Sequence, residues 1–242
     1  MPKLILAEYQ KLKRTFTKKA IWLAPIVSIL LCALLTMGYM IQNGSYNQWS
    51  SFLLPGLLTL ICVSVIEKDK KKMNYRGILC LPVNPQKIWI GKMSVCVFLH
   101  FVSCVVFFVG ITLVGLVFGS TIPLNQSAAG SVLLFITFLW QIPLCMFLTD
   151  RLGMFITVCI NLACNITCVI FVAKTSFWWI PYAVPARLMC PVIKVLPNGL
   201  SVPANDPLLS TSVILPGVLI TLILFIVLSV LTALSYRELE AK

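Results

Sequence analysis

The sequence predicts an all-α, polytopic membrane protein with six transmembrane helices, and three observations carry that prediction. The first is composition: 60% of the 242 residues are apolar and 11% are charged, against about 45–50% and about 25% in an average soluble domain. With a mean hydropathy of +0.99, the apolar surface is too large to hide in a core dressed for water. This excludes a soluble globular enzyme, a disordered regulator and a fibrous repeat. The second is length: six segments, 20–41, 49–66, 93–118, 131–149, 152–173 and 213–236, have no acidic or basic residue in their interiors. Each is near the ~20 helical residues that cross a hydrocarbon core about 30 Å thick. The third is charge. With six spans, sixteen of the nineteen Lys and Arg fall on one side, and only Lys174, Arg187 and Lys194 fall on the other. The side rich in Lys and Arg is the cytosolic one, so both termini are expected in the cytosol. The net charge of +12 then reads as an orientation signal and a contact with anionic lipid headgroups, about 1 kcal/mol per residue near the surface. No nucleic-acid partner is expected.

Residues 3–19 read as a helix lying in the interface. Ile5, Tyr9, Leu12 and Phe16 recur at helical spacing and make one narrow apolar stripe, with Lys3, Lys11, Arg14 and Lys18 facing away. A basic tail that only sets topology is the alternative. The first span is too long for the apolar region of a leader peptide, so no cleavable signal is expected. Residues 67–92 form the largest cytosolic piece, a helix-break-helix hairpin. Glu67 to Lys72 is a charged helix end, Leu81-Pro82 breaks the chain, and Asn84-Pro85 is an N-cap followed by proline at the first helical position. Tyr75, Ile78 and Leu79 have no membrane to face, so a protein partner is one reading and an interfacial loop the other.

Residues 174–212 hold six of the fourteen prolines. A seventh span there would put Arg187 in mid-bilayer at a cost of about 2.5–3.5 kcal/mol, and its prolines would leave backbone groups unpaired in lipid. A re-entrant or interfacial outer hairpin turning at Pro197-Asn198-Gly199 fits better. The loops 42–48 and 119–130 carry no charge and no readable chemistry.

Of the ten cysteines, eight fall in spans, and no C-x-x-C pair exists, so neither a zinc site nor a dithiol motif is expected. His100 is the only histidine and reads as hydrogen-bonded inside the bundle; a proton or ligand role is the alternative. Thr157, Asn161 and Asn165 stand four apart in the fifth span, and Thr137 and Gln141 repeat the pattern in the fourth, beside Pro143. Such stripes face protein or water. They either bond helix to helix or line a substrate path, and for the path Gln141, Asn161, Asn165, Trp178 and Trp179 are the candidate residues. Gly115 and Gly119 form a small-xxx-small spacing suited to close helix packing. Gly91-Lys92 lacks the first glycine and the hydroxyl residue of a phosphate-binding loop, so ATP hydrolysis is not expected in this chain and there is no catalytic set.

Three stretches carry a family resemblance. Ala7-Glu8 through Lys11-Leu12-Lys13-Arg14-Thr15-Phe16-Thr17-Lys18-Lys19 to Ala24-Pro25 is the first. The second is Tyr46-Asn47-x-Trp49, Leu54-Pro55-Gly56, Glu67-Lys68, Lys71-Lys72-Met73-x-Tyr75-Arg76 and Leu81-Pro82 with Trp89 and Lys92. The third is Trp178-Trp179-Ile180-Pro181 with Leu196-Pro197-Asn198-Gly199-Leu200. In this order they resemble the E-type permease subunits of lantibiotic-immunity ABC transporters, within the type-2 ABC exporter permeases. Tyr9-Gln10 departs from the pattern, where a Leu near Lys11 is expected.

The resemblance implies a single transmembrane domain over residues 1–242, in which the N-terminal helix is the elbow and residues 67–92 the coupling hairpin. Tyr75, Arg76, Ile78 and Leu79 would dock on an ABC ATPase, two copies of which bind the ATP and Mg. A second related permease, or another copy of this chain, would complete the complex. The assembly would expel a lantibiotic peptide from a bacterial cytoplasmic membrane, giving self-immunity. The alternatives are a type-2 exporter permease for another antibiotic or small amphiphile, and a membrane scaffold or sensor subunit with no transport cycle.

Overall fold

The structure, a computed structural model, describes residues 1–13, 15–36, 40–73 and 84–237. They form ten α-helices: α1 (Pro2–Lys11), α2 (Phe16–Thr36), α3 (Ile41–Gln48), α4 (Leu54–Met73), α5 (Pro85–Phe118), α6 (Leu124–Phe138), α7 (Gln141–Leu152), α8 (Met154–Thr167), α9 (Val184–Ile193) and α10 (Ile214–Arg237). A π-helical turn, Trp49–Leu53, joins α3 to α4, and a second, Cys168–Val172, extends α8. Six continuous helical segments are long and apolar enough to cross a bilayer. The described residues contain no strand, only an isolated antiparallel bridge between Val195 and Ser201. The all-α, six-span architecture expected from the sequence is the one observed.

The second and fourth spans form the centre. α4 packs on α7 and α8, α2 on α5, α5 on α6, and α10 lies across α5, α6 and α7. One apolar core runs through this bundle, from Leu12 and Trp89 at one end to Trp49, Phe107 and Ile193 at the other. Trp49 stacks on Phe107 with ring centroids 4.9 Å apart, and Tyr46 meets the same ring edge-on at 5.1 Å. Where α5 begins, the expected cap is present: the Asn84 side chain accepts from the Gln86 backbone N–H at 2.9 Å, with Pro85 at the first helical position.

Several boundaries differ from the sequence expectation. The N-terminal helix stops at Lys11 rather than running to residue 19. Leu12 caps it, and Thr15 bonds back to the Leu12 carbonyl through both its N–H and its hydroxyl. Phe16 therefore opens α2 and belongs to the first membrane helix instead of the interfacial stripe. α1 is also not a free surface helix. It packs on the start of α5, where a Cβ on Gly91 would come within 2.7 Å of Leu4. Buried Glu8 there accepts from Lys11 Nζ at 2.6 Å and stands 4.0 Å from the fully buried Lys92 Nζ.

The expected loop 42–48 is the helix α3, buried as the first turns of the second span. Gln42 decides this. Its Oε1 accepts from the N–H groups of Thr121 and Ile122 at 2.7 and 2.9 Å, and its Nε2 donates to the Ile111 carbonyl at 3.3 Å. One side chain thus satisfies backbone donors in the turn after α5. Gly115 is glycine because a Cβ there would run into the Gln42 amide, whereas a Cβ on Gly119 meets nothing. Gly119 ends α5 at φ +96°, so the Gly115–Gly119 spacing serves one side-chain contact and one terminus, not a helix pair.

In the segment between the fifth and sixth spans, α9 is buried against α6 and ends at Lys194 in the left-handed conformation. Arg187 is buried and donates to the Leu208 carbonyl at 2.7 Å. Residues 194–202 then fold back. The Gly199 N–H bonds Leu196 O at 2.8 Å and the Val202 N–H bonds Lys194 O at 2.9 Å, so the turn lies at Pro197-Asn198-Gly199.

Candidate functional site

The site begins with two prolines. Pro55 has no N–H, so the carbonyl of Ser51, four residues earlier, loses its helical donor. The chain passes this point as the π turn, and the Asn165 side chain supplies the missing donor: its Nδ2 lies 2.7 Å from Ser51 O. Pro143 removes the donor for Leu139 O in the same way. The fourth span breaks at Leu139-Trp140, and the Ile142 N–H bonds Leu139 O at 3.0 Å in a tighter turn. Both discontinuities face α8.

Asn161 joins the pieces. Its Nδ2 donates to Thr59 Oγ1 at 2.9 Å on α4 and to Gln141 Oε1 at 3.1 Å on α7. Its Oδ1 accepts from the Tyr182 hydroxyl at 3.0 Å. Burial pushes the Tyr182 phenol well above its ordinary range, so it stays a donor. The Tyr182 ring meets Trp140 edge-on at 4.7 Å. Thr59, Gln141, Asn161 and Asn165 are fully buried. Gln141 Nε2, Asn165 Oδ1 and Trp140 Nε1 are buried among the described residues without a hydrogen-bond partner. The result is a compact, uncharged amide network that ties the second, fourth and fifth spans to the segment between the fifth and sixth.

The structure thus brings Gln141, Asn161 and Asn165 together. Trp178 and Trp179 stand apart from them: Trp178 packs near Val184, Leu188 and Val213, and Trp179 is half exposed. Tyr182, Thr59 and Trp140 belong to the network although the sequence reading did not single them out; Thr59 lies one turn after a proline within a span, which was the available signal. Tyr9 leans on Phe98 with centroids 6.0 Å apart, Ile5 packs against the main core and Leu12 is buried in it. Tyr75, Arg76, Ile78 and Leu79 lie outside the described residues. His100 is buried, 3.2 Å from Phe135 O through Nε2 and stacked on the Phe135 ring. Among the described residues no three His, Cys, Asp or Glu side chains stand close enough to hold a metal ion.

These features define a multi-pass helical membrane protein in which the Asn161 network is built from amide and hydroxyl groups. A family model described as ABC-2 family transporter protein matches residues 4–238, and the chain belongs to that family. It is therefore a type-2 ABC exporter permease, the transmembrane subunit that works with an ABC ATPase. No curated protein and no solved structure matches the chain.

Proposed function

We propose that this permease removes a lantibiotic-type peptide from a bacterial cytoplasmic membrane and so gives its host immunity to that peptide. The observation that carries the reading is the order of the three motif stretches along a chain of this family, from Lys11-Leu12-Lys13 through Tyr46-Asn47-x-Trp49 to Trp178-Trp179-Ile180-Pro181. In this reading both termini are cytosolic. Two ATPase copies bind ATP and Mg, and a second related permease, or a second copy of this one, completes the path. Tyr75, Arg76, Ile78 and Leu79 of the coupling hairpin dock on the ATPase.

The mechanism follows from the connections. Closure of the ATPase pair pushes the hairpin, and the hairpin leads directly into α5. α1, the elbow, is clamped to the first turns of α5 by Glu8–Lys92 and Leu4–Gly91, so both elements move as one. Motion of α5 and α4 against α7 and α8 parts the Asn161 network. Gln141, Asn161 and Asn165 then face a path that an amphiphilic peptide enters sideways from the outer leaflet, past Trp178 and Trp179.

The test is expression with the ATPase and partner permease in a sensitive host, with survival scored against a panel of lantibiotics. Protection against one or more is expected. Ile78→Asp should abolish protection while leaving membrane insertion and ATPase activity in place. Full protection by that variant would overturn the coupling assignment. Protection against a non-peptide antibiotic alone would overturn the substrate class.

A further inference from the structure

A groove of about 790 Å³ runs between α5 and α10, with Phe135 of α6 at its far end. Its position is fixed by two contacts at the helix ends. Trp89 Nε1 donates to Thr232 Oγ1 at 3.0 Å, and the Trp89 ring lies 4.7 Å from that of Tyr236. Past these contacts Ile90, Val97, Phe101, Phe225 and Val230 form the walls of the groove. The two hydroxyls on the walls are already used: Ser94 donates to Ile90 O at 2.8 Å and Ser229 to Met93 Sδ at 3.2 Å. A ligand in the groove therefore meets hydrocarbon and aromatic surface with no free donor.

The dimensions select the occupant. From Ile90 to Phe101 the wall rises by ~16 Å at 1.5 Å per residue, the depth of one leaflet's share of a hydrocarbon core about 30 Å thick. A groove one leaflet deep, with apolar walls and a polar mouth, matches an acyl chain and its headgroup. The mouth is polar and basic. Gln86 lines it, and the next residue, Lys87, is exposed. At the same end of the bundle Lys70 reaches the Asp150 carbonyl and Arg151 reaches Ser235. A lysine at this level attracts an anionic headgroup.

We propose that the α5–α10 groove is a binding site for one phospholipid of the leaflet on the basic side. Its acyl tail lies along Val97, Phe101 and Val230, and its anionic headgroup rests at Gln86 and Lys87. The site is independent of the peptide-export reading. Because α1 packs on the start of α5, a lipid wedged between α5 and α10 bears on the helix that moves in the proposed coupling.

The probe is phosphatidylglycerol bearing a photoreactive diazirine on its acyl chain, present in trace amount in bilayer nanodiscs holding the full chain. Cross-links should concentrate on Phe101 and Val230, and on half-buried Val97, over Val109, Leu113 and Leu219, which lie on the same helices outside the groove and are as exposed as Phe101 and Val230. Val230→Trp, which fills the groove, should remove the first set and spare the second. Lys87→Ala leaves the groove's shape intact. It should reduce the preference for phosphatidylglycerol over an identical phosphatidylcholine probe by about fivefold, the factor that ~1 kcal/mol represents. Uniform labelling of both residue sets would overturn the site. Equal labelling by the two headgroups in the unaltered chain would overturn the anionic assignment. A cross-link from the groove to another protein chain would overturn the lipid occupant.

Discussion

Asn161→Leu keeps the side chain's volume but removes its amide. The wild-type amide makes three side-chain bonds of 2.9–3.1 Å, to Thr59, Gln141 and Tyr182, and a longer one of 3.4 Å to Pro55 O. Bonds of this kind inside membrane proteins average about 0.6 kcal/mol and reach about 1.7, so three give about 2–5 kcal/mol. Most of the upper half of that range comes from what is left behind. Gln141 already has an unpaired buried Nε2, and the substitution also strips its Oε1, at a cost of about 1–3 kcal/mol for a buried polar group without a partner. The measurement is reversible unfolding in mixed micelles for the wild type, Asn161→Leu, Tyr182→Phe and the double variant. The cycle isolates the Asn161–Tyr182 bond and should return a coupling of about 0.6–1.7 kcal/mol. A loss below about 0.5 kcal/mol for Asn161→Leu, or additive behaviour of the pair, would refute the claim that this network holds the second, fourth and fifth spans together.

Glu8→Ala should free α1 from α5, raising amide hydrogen exchange across residues 2–11 while α5 stays protected; unchanged exchange would deny the Glu8–Lys92 clamp. Gly115→Ala should lower thermal stability by about 1–3 kcal/mol through overpacking against the Gln42 amide, with a smaller effect in a Gln42→Ala background, because the atom that clashes is then absent. The Cys190 thiol, outside the membrane spans, is pushed up to about 11, chiefly by burial. Its folded-state value thus exceeds the ordinary 9.0, so its contribution to stability is intact below about pH 9 and declines as the pH climbs towards 11. Maleimide should leave Cys190 unlabelled at pH 8 in the folded protein and label it in denaturant.

The membrane helices were legible because hydropathy over ~20 residues is a local property and lipid leaves few alternatives to a helix. The Asn84 cap was legible for the same reason: donor, acceptor and proline sit within three residues. What the sequence hid are pairings between distant residues. Gln42 looked like part of an uncharged loop, and its role depends on Thr121 and Ile122, about eighty positions away. Glu8 and Lys92 are likewise far apart in the chain, so neither could be recognised as half of a buried pair. The N-terminal helix was drawn too long because Phe16 keeps the apolar period of Ile5, Tyr9 and Leu12. Periodicity does not register a turn that Thr15 closes onto Leu12 O.

The polar stripe on α8 shows why neither reading of such a stripe follows from sequence alone. Asn161 and Asn165 are spaced to face one direction, but what they face is set by Pro55 and Pro143 on other helices. Each proline denies a carbonyl its helical donor, and in lipid the lost bond must be replaced from within the protein. Asn165 makes one such replacement at Ser51 O. Asn161 bonds to side chains on two helices and to Tyr182, and only at 3.4 Å to a backbone group, the Pro55 carbonyl that also accepts from the Thr59 hydroxyl. Asn165 is thus explained by repair of the π turn, whereas Asn161 is an added linkage between elements whose axes are already interrupted. Interrupted helices tied by neutral hydrogen bonds can separate without leaving a charge in lipid. That is the physical reason the proposed movement is placed at Asn161 rather than at the buried Glu8–Lys92 contact, where charged groups would have to be pulled apart.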